Sequence, residues 1–132
     1  MQTILENATE ILLLLFLIIT FLQSGLDKIL DWNGNLSWLK GHFSKSPLRG
    51  FVPGMLLVVL IFEVLAGIFC AIGLYQIVFA TGGDTAFYGA ILSCISLIML
   101  LFGQRMAKDY EGAKTIVIYF IPAIFLVFLL QQ

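Results

Sequence analysis

The sequence predicts an all-α integral membrane protein: a four-transmembrane-helix bundle with a short interfacial helix in its first connection. Of the 132 residues, 61% are hydrophobic and 11% are charged, whereas an average soluble domain is about 45–50% apolar and about 25% charged. Four segments reach the roughly 20 apolar residues that cross a bilayer as a helix. These predicted spans cover about residues 10–29, 52–76, 85–104 and 113–130. They are continuously apolar, which favours helices over the alternating strands of a barrel. We assign residues 1–132 to one domain.

The first span differs from a cleaved signal peptide, and we expect it to remain in the protein. A signal peptide begins with basic residues and ends in a small-x-small cleavage site. Here Glu6 and Glu10 precede the apolar run without any Lys or Arg, and no such cleavage motif follows it. Pro53 stands at the start of the second span, where its missing N–H is harmless in a first helical turn. Pro122 lies inside the fourth span and predicts a kink, which transmembrane helices tolerate.

Basic residues are confined to two of the three connections and their flanks. They are Lys28, Lys40, Lys45 and Arg49 around the first connection, and Arg105, Lys108 and Lys114 around the third. The N-terminus, the second connection and the C-terminus contain no Lys or Arg. Because short loops rich in Lys and Arg stay in the cytoplasm, the sequence predicts cytoplasmic first and third connections and both termini on the opposite side.

The first connection, about residues 30–51, contains a stripe of apolar side chains. Trp32, Leu36, Leu39 and Phe43 recur at the spacing of one helical face. This pattern predicts a short amphipathic helix in the membrane interface, with tryptophans at headgroup level. Two glycines weaken the helical pattern, so an irregular loop with aromatic anchors is an equal alternative. The Ser-Lys-Ser-Pro stretch at 44–47 is expected to end the helix.

Glu63 is the only charged residue in the second span. Placing an ionised side chain at the centre of a bilayer costs roughly 2.5–3.5 kcal/mol by membrane insertion. At about 1.5 Å per residue, Glu63 is on the order of 15 Å deep and Gln23 on the order of 10 Å deep. The candidate polar pocket therefore comprises Glu63, Gln23, Ser24, Asp27, Lys28 and Arg105. No catalytic residue is identified.

Two interpretations of Glu63 remain open from the residues alone. In the structural interpretation, a protonated Glu63 forms an interhelical hydrogen bond with Gln23 or Ser24, a contact that averages about 0.6 kcal/mol in membranes. In the functional interpretation, Glu63 exchanges protons or binds a ligand, as intramembrane ionisable residues usually do. An ion pair with Lys28 or Arg105 is a further alternative that the orientation of the helices decides. Lys28 is also suited to be an ordinary interfacial lysine.

Other classes of site find little support in the sequence. The net charge of −1 predicts no nucleic-acid partner. One histidine and the two cysteines, Cys70 and Cys94, do not have the spacing of metal ligands or of a CxxC motif. We expect both cysteines to be buried small residues, and a bond between them stays open. Small residues at every fourth position of the second and third spans, such as Gly67 with Ala71 and Ala86 with Ala90, predict close helix contacts.

In several motifs the chain resembles the DoxX family of small four-helix bacterial membrane proteins, over about residues 11–130. The motifs are SGLDK at 24–28, EVLAG at 63–67 with Gly73, FGQRMAKDY at 102–110 with Gly112, and WLKGHFSKS at 38–46, which is similar to a Bacteroidota version. The sequence departs from the family pattern at Ala71-Ile72-Gly73, where the match is loose. The resemblance implies that Ser24, Gly25, Lys28 and Glu63 are motif residues, and that the membrane is the bacterial cytoplasmic (inner) membrane.

The resemblance also implies a function. One branch of the family supplies the membrane subunit of a thiosulfate:quinone oxidoreductase, so we expect a redox-associated or quinone-linked subunit. No cofactor motif is visible, and a quinone is the cofactor that this interpretation implies. The expected partners are the lipid bilayer, other membrane subunits or further copies of the chain. The alternatives are a non-catalytic accessory or assembly subunit of a larger membrane complex and a small proton-coupled carrier.

Overall fold

The computed structural model describes residues 2–79 and 83–132, in which no strand occurs. In chain order the elements are α1 (Gln2–Glu6), α2 (Ala8–Leu30), α3 (Trp32–His42), a 3₁₀ turn (Arg49–Phe51), α4 (Val52–Phe79), α5 (Thr85–Met106) and α6 (Tyr110–Gln131). Helices α2, α4, α5 and α6 are long and apolar enough to cross a membrane. The predicted all-α fold with four membrane-spanning helices is confirmed, and the chain is a multi-pass membrane protein.

Each predicted span lies inside one of these helices, and every helix is longer than the span. The largest differences are at the start of α6, which begins at Tyr110, and at the end of α4, which continues to Phe79. Hydropathy marks where apolar residues stop, whereas backbone hydrogen bonding continues through polar turns. Helix α6 also continues through Pro122, as transmembrane helices can.

The four membrane helices pack in chain order around a ring. Helix α2 packs on α4, α4 on α5 and α5 on α6, while the contact between α2 and α6 is much smaller. All seven Lys and Arg residues lie at one end of the bundle, where α2 and α5 end and α4 and α6 begin. We call this the positive end. Because α2 and α6 touch much less than the other neighbouring pairs, their contact is the loosest side of the ring.

Small residues let the helices approach closely, as their spacing predicted. A Cβ atom added to Gly73 of α4 would clash with the backbone of Ala86 on α5, and one added to Gly89 would lie 2.8 Å from the backbone nitrogen of Cys70. Cys70 and Cys94 are buried free thiols. The expectation of buried small residues is confirmed, and no disulfide joins them.

Helix α3 settles the first connection in favour of a helix. Its predicted apolar stripe is the less exposed side, and Phe43 is buried directly after the helix ends. The side chain of Asp31 accepts a hydrogen bond from the backbone N–H of Gly34 at the start of α3, which is a normal N-cap. Asn35 donates hydrogen bonds to the carbonyl oxygens of Asp31 and Asp27. These bonds tie α3 to the end of α2.

A lysine occupies the left-handed position of the turn between α5 and α6, where glycine is usual. Lys108 adopts a left-handed backbone conformation, with φ of 60°. The backbone N–H of Asp109 donates to the carbonyl of Gln104, and that of Lys108 donates to the carbonyl of Arg105, which together form a Schellman cap. The Asp109 side chain then accepts from the N–H of Gly112 at the start of α6. The turn thereby fixes the position of Asp109.

We predict that Gly73→Ala destabilises the bundle by about 1–3 kcal/mol, because the new methyl group overpacks the α4–α5 contact. Gly54→Ala is the matched control, since it lies on the same helix and nothing is within 4 Å of the added Cβ. Thermal unfolding in detergent measures both. Equal melting temperatures for the two variants would contradict the close α4–α5 contact.

Candidate functional site

A buried ion pair joins α2 to α4. Lys28 Nζ lies 2.9 Å from Oε1 of Glu63, and the exposed fractions of the two side chains are 16% and 2%. Lys28 Nζ also donates a hydrogen bond of 2.6 Å to the hydroxyl of Ser24, one helical turn earlier. Oε1 of Glu63 is buried and makes no hydrogen bond in the described part of the chain, so its contact with Lys28 is an ion pair. Among the alternatives for Glu63, the structure therefore contains the ion pair with Lys28.

The direction of the helices brings these two side chains together. Helical side chains lean toward the N-terminus of their own helix. Lys28, near the end of α2, therefore leans away from the positive end, and Glu63 on the antiparallel α4 leans toward it. Gly25 lets α2 approach α4 closely, because a Cβ atom added there would lie only 3.0 Å from a methyl group of Val64.

The apolar pattern of α2 also turns Lys28 inward. The buried residues of α2 are Leu14, Leu17, Phe21 and Gly25, and position 28 continues this row at the next helical step of three. On α4, Glu63 belongs to the buried row that includes Ala66 and Cys70. Both charges thus lie on the packed faces of their helices, where an unpaired charge would be strongly destabilising.

Three residues of the predicted pocket lie elsewhere. Gln23 and Asp27 are exposed and line a hollow between α2 and α6, to which Ser24 and Tyr119 also contribute. Neither makes a hydrogen bond with Glu63 in the described part of the chain. Arg105 is exposed and lies over the ring of Tyr110, with its Cζ 5.2 Å from the ring centroid. The structure therefore brings together Glu63, Lys28 and Ser24 but not Gln23, Asp27 or Arg105.

A cavity of about 260 Å³ lies beside the ion pair. We call it the inner cavity. Its walls come from α3, α4 and α5, and Lys28 of α2 contributes the ammonium group. Most of its lining is apolar, including Leu39, Val59 and Met99, while Asn35, His42 and Gln104 supply further polar groups. The cavity is thus largely apolar, with polar side chains from three helices, α2, α3 and α5.

His42 is the centre of a second polar cluster on the wall of the inner cavity. Its Nε2 lies 2.9 Å from Oε1 of Gln104 and 3.6 Å from Oδ2 of Asp109. Because a carboxamide oxygen can only accept, Nε2 carries the hydrogen in this arrangement. The imidazole ring stacks on Trp38, with centroids 4.7 Å apart. Residues from α3, α5 and the α5–α6 turn thereby meet at one point.

An open apolar groove adjoins the inner cavity on the outside of the bundle. This outer groove holds about 920 Å³ between α4 and α5, close to the positive end. Met55, Val59, Met99 and Gly103 line both spaces. The two methionines are flexible, so the partition between the groove and the cavity is adaptable at these two side chains. The inner cavity is thus separated from the membrane-facing surface by one layer of side chains.

The pocket predicted from the sequence did not include His42, Gln104 or Asp109. His42 follows Trp38 by one helical turn, which indicates stacking on one helix face. Its contacts with Gln104 and Asp109 connect residues more than 60 positions apart, and no local spacing predicts them. The described residues contain no group of three or more His, Cys, Asp or Glu that fits a metal ion.

The fold and this site define a small multi-pass membrane protein with a buried ion pair beside an apolar cavity. No protein-family model, curated protein or solved structure matches the chain. The DoxX resemblance therefore stays a prediction from the motifs.

We predict that Lys28→Met destabilises the bundle by about 3–5 kcal/mol, because it leaves the buried carboxylate of Glu63 without its partner. Adding Glu63→Gln to this variant removes the unpaired charge and should restore most of the lost stability. Unfolding of the two single variants and the double variant in detergent gives the coupling. Lys40→Met, at an exposed position, is the control. Additive effects of the two substitutions would contradict a coupled ion pair.

Proposed function

We propose that this chain is a quinone-binding, redox-associated subunit of a bacterial inner membrane, as its resemblance to the DoxX family implies. One observation carries the proposal: the apolar inner cavity contains the ammonium group of a buried ion pair and adjoins a groove on the membrane-facing surface. A quinone partitions into the bilayer and has an apolar tail and a ring with two carbonyl oxygens. Such a ligand would place its tail in the groove and its ring in the inner cavity beside the ammonium group.

The volumes support a division of the ligand between the two spaces. Sites that enclose a drug-sized ligand hold roughly 300–1,000 Å³. The inner cavity, at about 260 Å³, lies just below that range and suits a single ring. The outer groove, at about 920 Å³, suits an isoprenoid tail. Met55 and Met99, which line both spaces, would move to let the ring pass.

The polar groups of the cavity suit the chemistry of a quinone, which takes up two electrons and two protons on reduction. Lys28 has N–H donors beyond the one that it gives to Ser24, so it can donate to a ring carbonyl. Glu63 is too buried to line the cavity and acts as a positioning residue that holds the ammonium in place. Imidazole is a common proton donor, and His42 lines the same cavity. The electrons would come from a partner or a substrate.

The proposal also includes an orientation. The Lys and Arg residues at the positive end favour the cytoplasm for this end, which would put the inner cavity in the cytoplasmic half of the membrane and both termini in the periplasm. Protons for the site would then come from the cytoplasmic side, near His42 and Asp109. In this arrangement the six basic residues other than Lys28 would also meet anionic headgroups.

We predict that a short-chain ubiquinone quenches the fluorescence of Trp38 saturably in reconstituted vesicles. Trp38 lines the inner cavity, and the background substitution Trp32→Phe leaves it as the single tryptophan. Lys28→Met combined with Glu63→Gln, which removes both charges together, should weaken binding roughly 10- to 100-fold, because it removes a charged hydrogen-bond donor. Lys40→Met should leave the titration unchanged. Quenching that rises linearly without saturation in the parent protein would contradict the proposed function.

We predict that Ser44→Cys in intact cells resists a membrane-impermeant maleimide, whereas Gln132→Cys reacts with it. Both positions are exposed, and Cys70 and Cys94 are buried, so the added thiols dominate the labelling. After the membrane is permeabilised, both variants should react equally. Labelling of Ser44→Cys before permeabilisation would reverse the proposed orientation.

A further inference from the structure

Gln23 faces outward at a depth where the surroundings are hydrocarbon. It is exposed, and in the described part of the chain no hydrogen bond to its side chain is present. Gln23 lies seven residues before Leu30, the last residue of α2, which corresponds to about 10 Å along the helix axis. The first span is about 30 Å long, so this depth is well inside the membrane. An amide without a partner there costs free energy.

The surface around Gln23 is a hollow on the loosest side of the ring. This open α2–α6 seam holds about 390 Å³ and is lined by Phe16, Ile19, Thr20, Gln23, Ser24, Asp27 and Tyr119. Phe16 of α2 stacks on Tyr119 of α6, with ring centroids 5.9 Å apart. The seam thus combines aromatic walls with an amide whose donors and acceptor are available. Polar side chains in such positions usually mark a helix–helix interface.

We infer that the α2–α6 seam is the interface between two copies of this chain, related by a two-fold axis along the membrane normal, with the two Gln23 amides hydrogen-bonded to each other. A carboxamide has both donors and an acceptor, so it is complementary to itself. A second copy inserted in the same orientation presents its Gln23 at the same depth. A two-fold axis then brings the same patch of both copies together.

Asp27 allows the experiment to distinguish a second copy from a different partner. It lies one turn from Gln23 on the same face, nearer the positive end, and it is exposed. In the symmetric dimer the two Asp27 carboxylates approach each other and repel. A different membrane protein that used this seam would be expected to place a basic group there. Whether a neutral substitution at Asp27 strengthens or weakens association therefore distinguishes a second copy from a different protein.

The test is energy transfer between donor- and acceptor-labelled copies of the full chain in vesicles, at a series of protein-to-lipid ratios. Gln23→Leu should weaken association about 3- to 20-fold, the range that membrane amide contacts of about 0.6 to 1.7 kcal/mol give. Gln23→Asn retains an amide and should restore most of the association. Asp27→Asn should strengthen association by a few fold, because it removes the like-charge repulsion.

Cross-linking locates the interface independently of these variants. Ile19→Cys, on the seam, should form a disulfide-linked dimer under mild oxidation. Ile98→Cys, exposed on α5, should not. A monomer at every protein-to-lipid ratio would overturn the inference, and so would association that Gln23→Leu leaves unchanged. Weaker association in Asp27→Asn would also overturn it, since the carboxylate would then pair with a cation.

Discussion

The ion pair between Lys28 and Glu63 determines the rotation of α2, and the rest of the site depends on that rotation. Ser24 and Lys28 share one face of the helix, whereas Gln23 and Asp27 share another, about 100° away. Only one of these faces can point at α4. A buried carboxylate without a partner costs about 3–5 kcal/mol, while a membrane amide contact contributes about 0.6 and at most about 1.7 kcal/mol. The charge pair therefore faces inward and the amide faces outward.

The fold could be predicted because its determinants are local. Four continuous apolar runs define the spans, and a stripe from Trp32 to Phe43 predicts α3. The ends of the helices were less accessible to prediction, because α6 begins in a polar turn capped by Asp109, where hydropathy carries no signal. Small residues predicted the close α4–α5 contact, since an interface of small side chains leaves a spacing pattern in the sequence.

The site could be predicted only in part, because it depends on contacts between distant segments. The cost of Glu63 in hydrocarbon singled it out, but its partner depends on which face of α2 is buried. The row from Leu14 to Gly25 contains that information and favours Lys28 over Gln23. The contact of His42 with Gln104 and Asp109 has no comparable signal. It requires α3 to pack against the end of α5 and Lys108 to adopt a left-handed turn.

The two faces of α2 connect the inner cavity with the α2–α6 seam. Lys28 presents its ammonium to the cavity, and Gln23, five residues earlier, points in a direction about 140° away. A rotation that buried Gln23 would pull Lys28 from Glu63 and leave the carboxylate unpaired. Conversely, a ligand that binds Lys28 without replacing Glu63 keeps the pair intact and keeps Gln23 on the outside. The inner cavity can therefore be occupied without disturbing the seam, because the Lys28–Glu63 pair and the buried apolar row of α2 hold the helix in the orientation that both surfaces require.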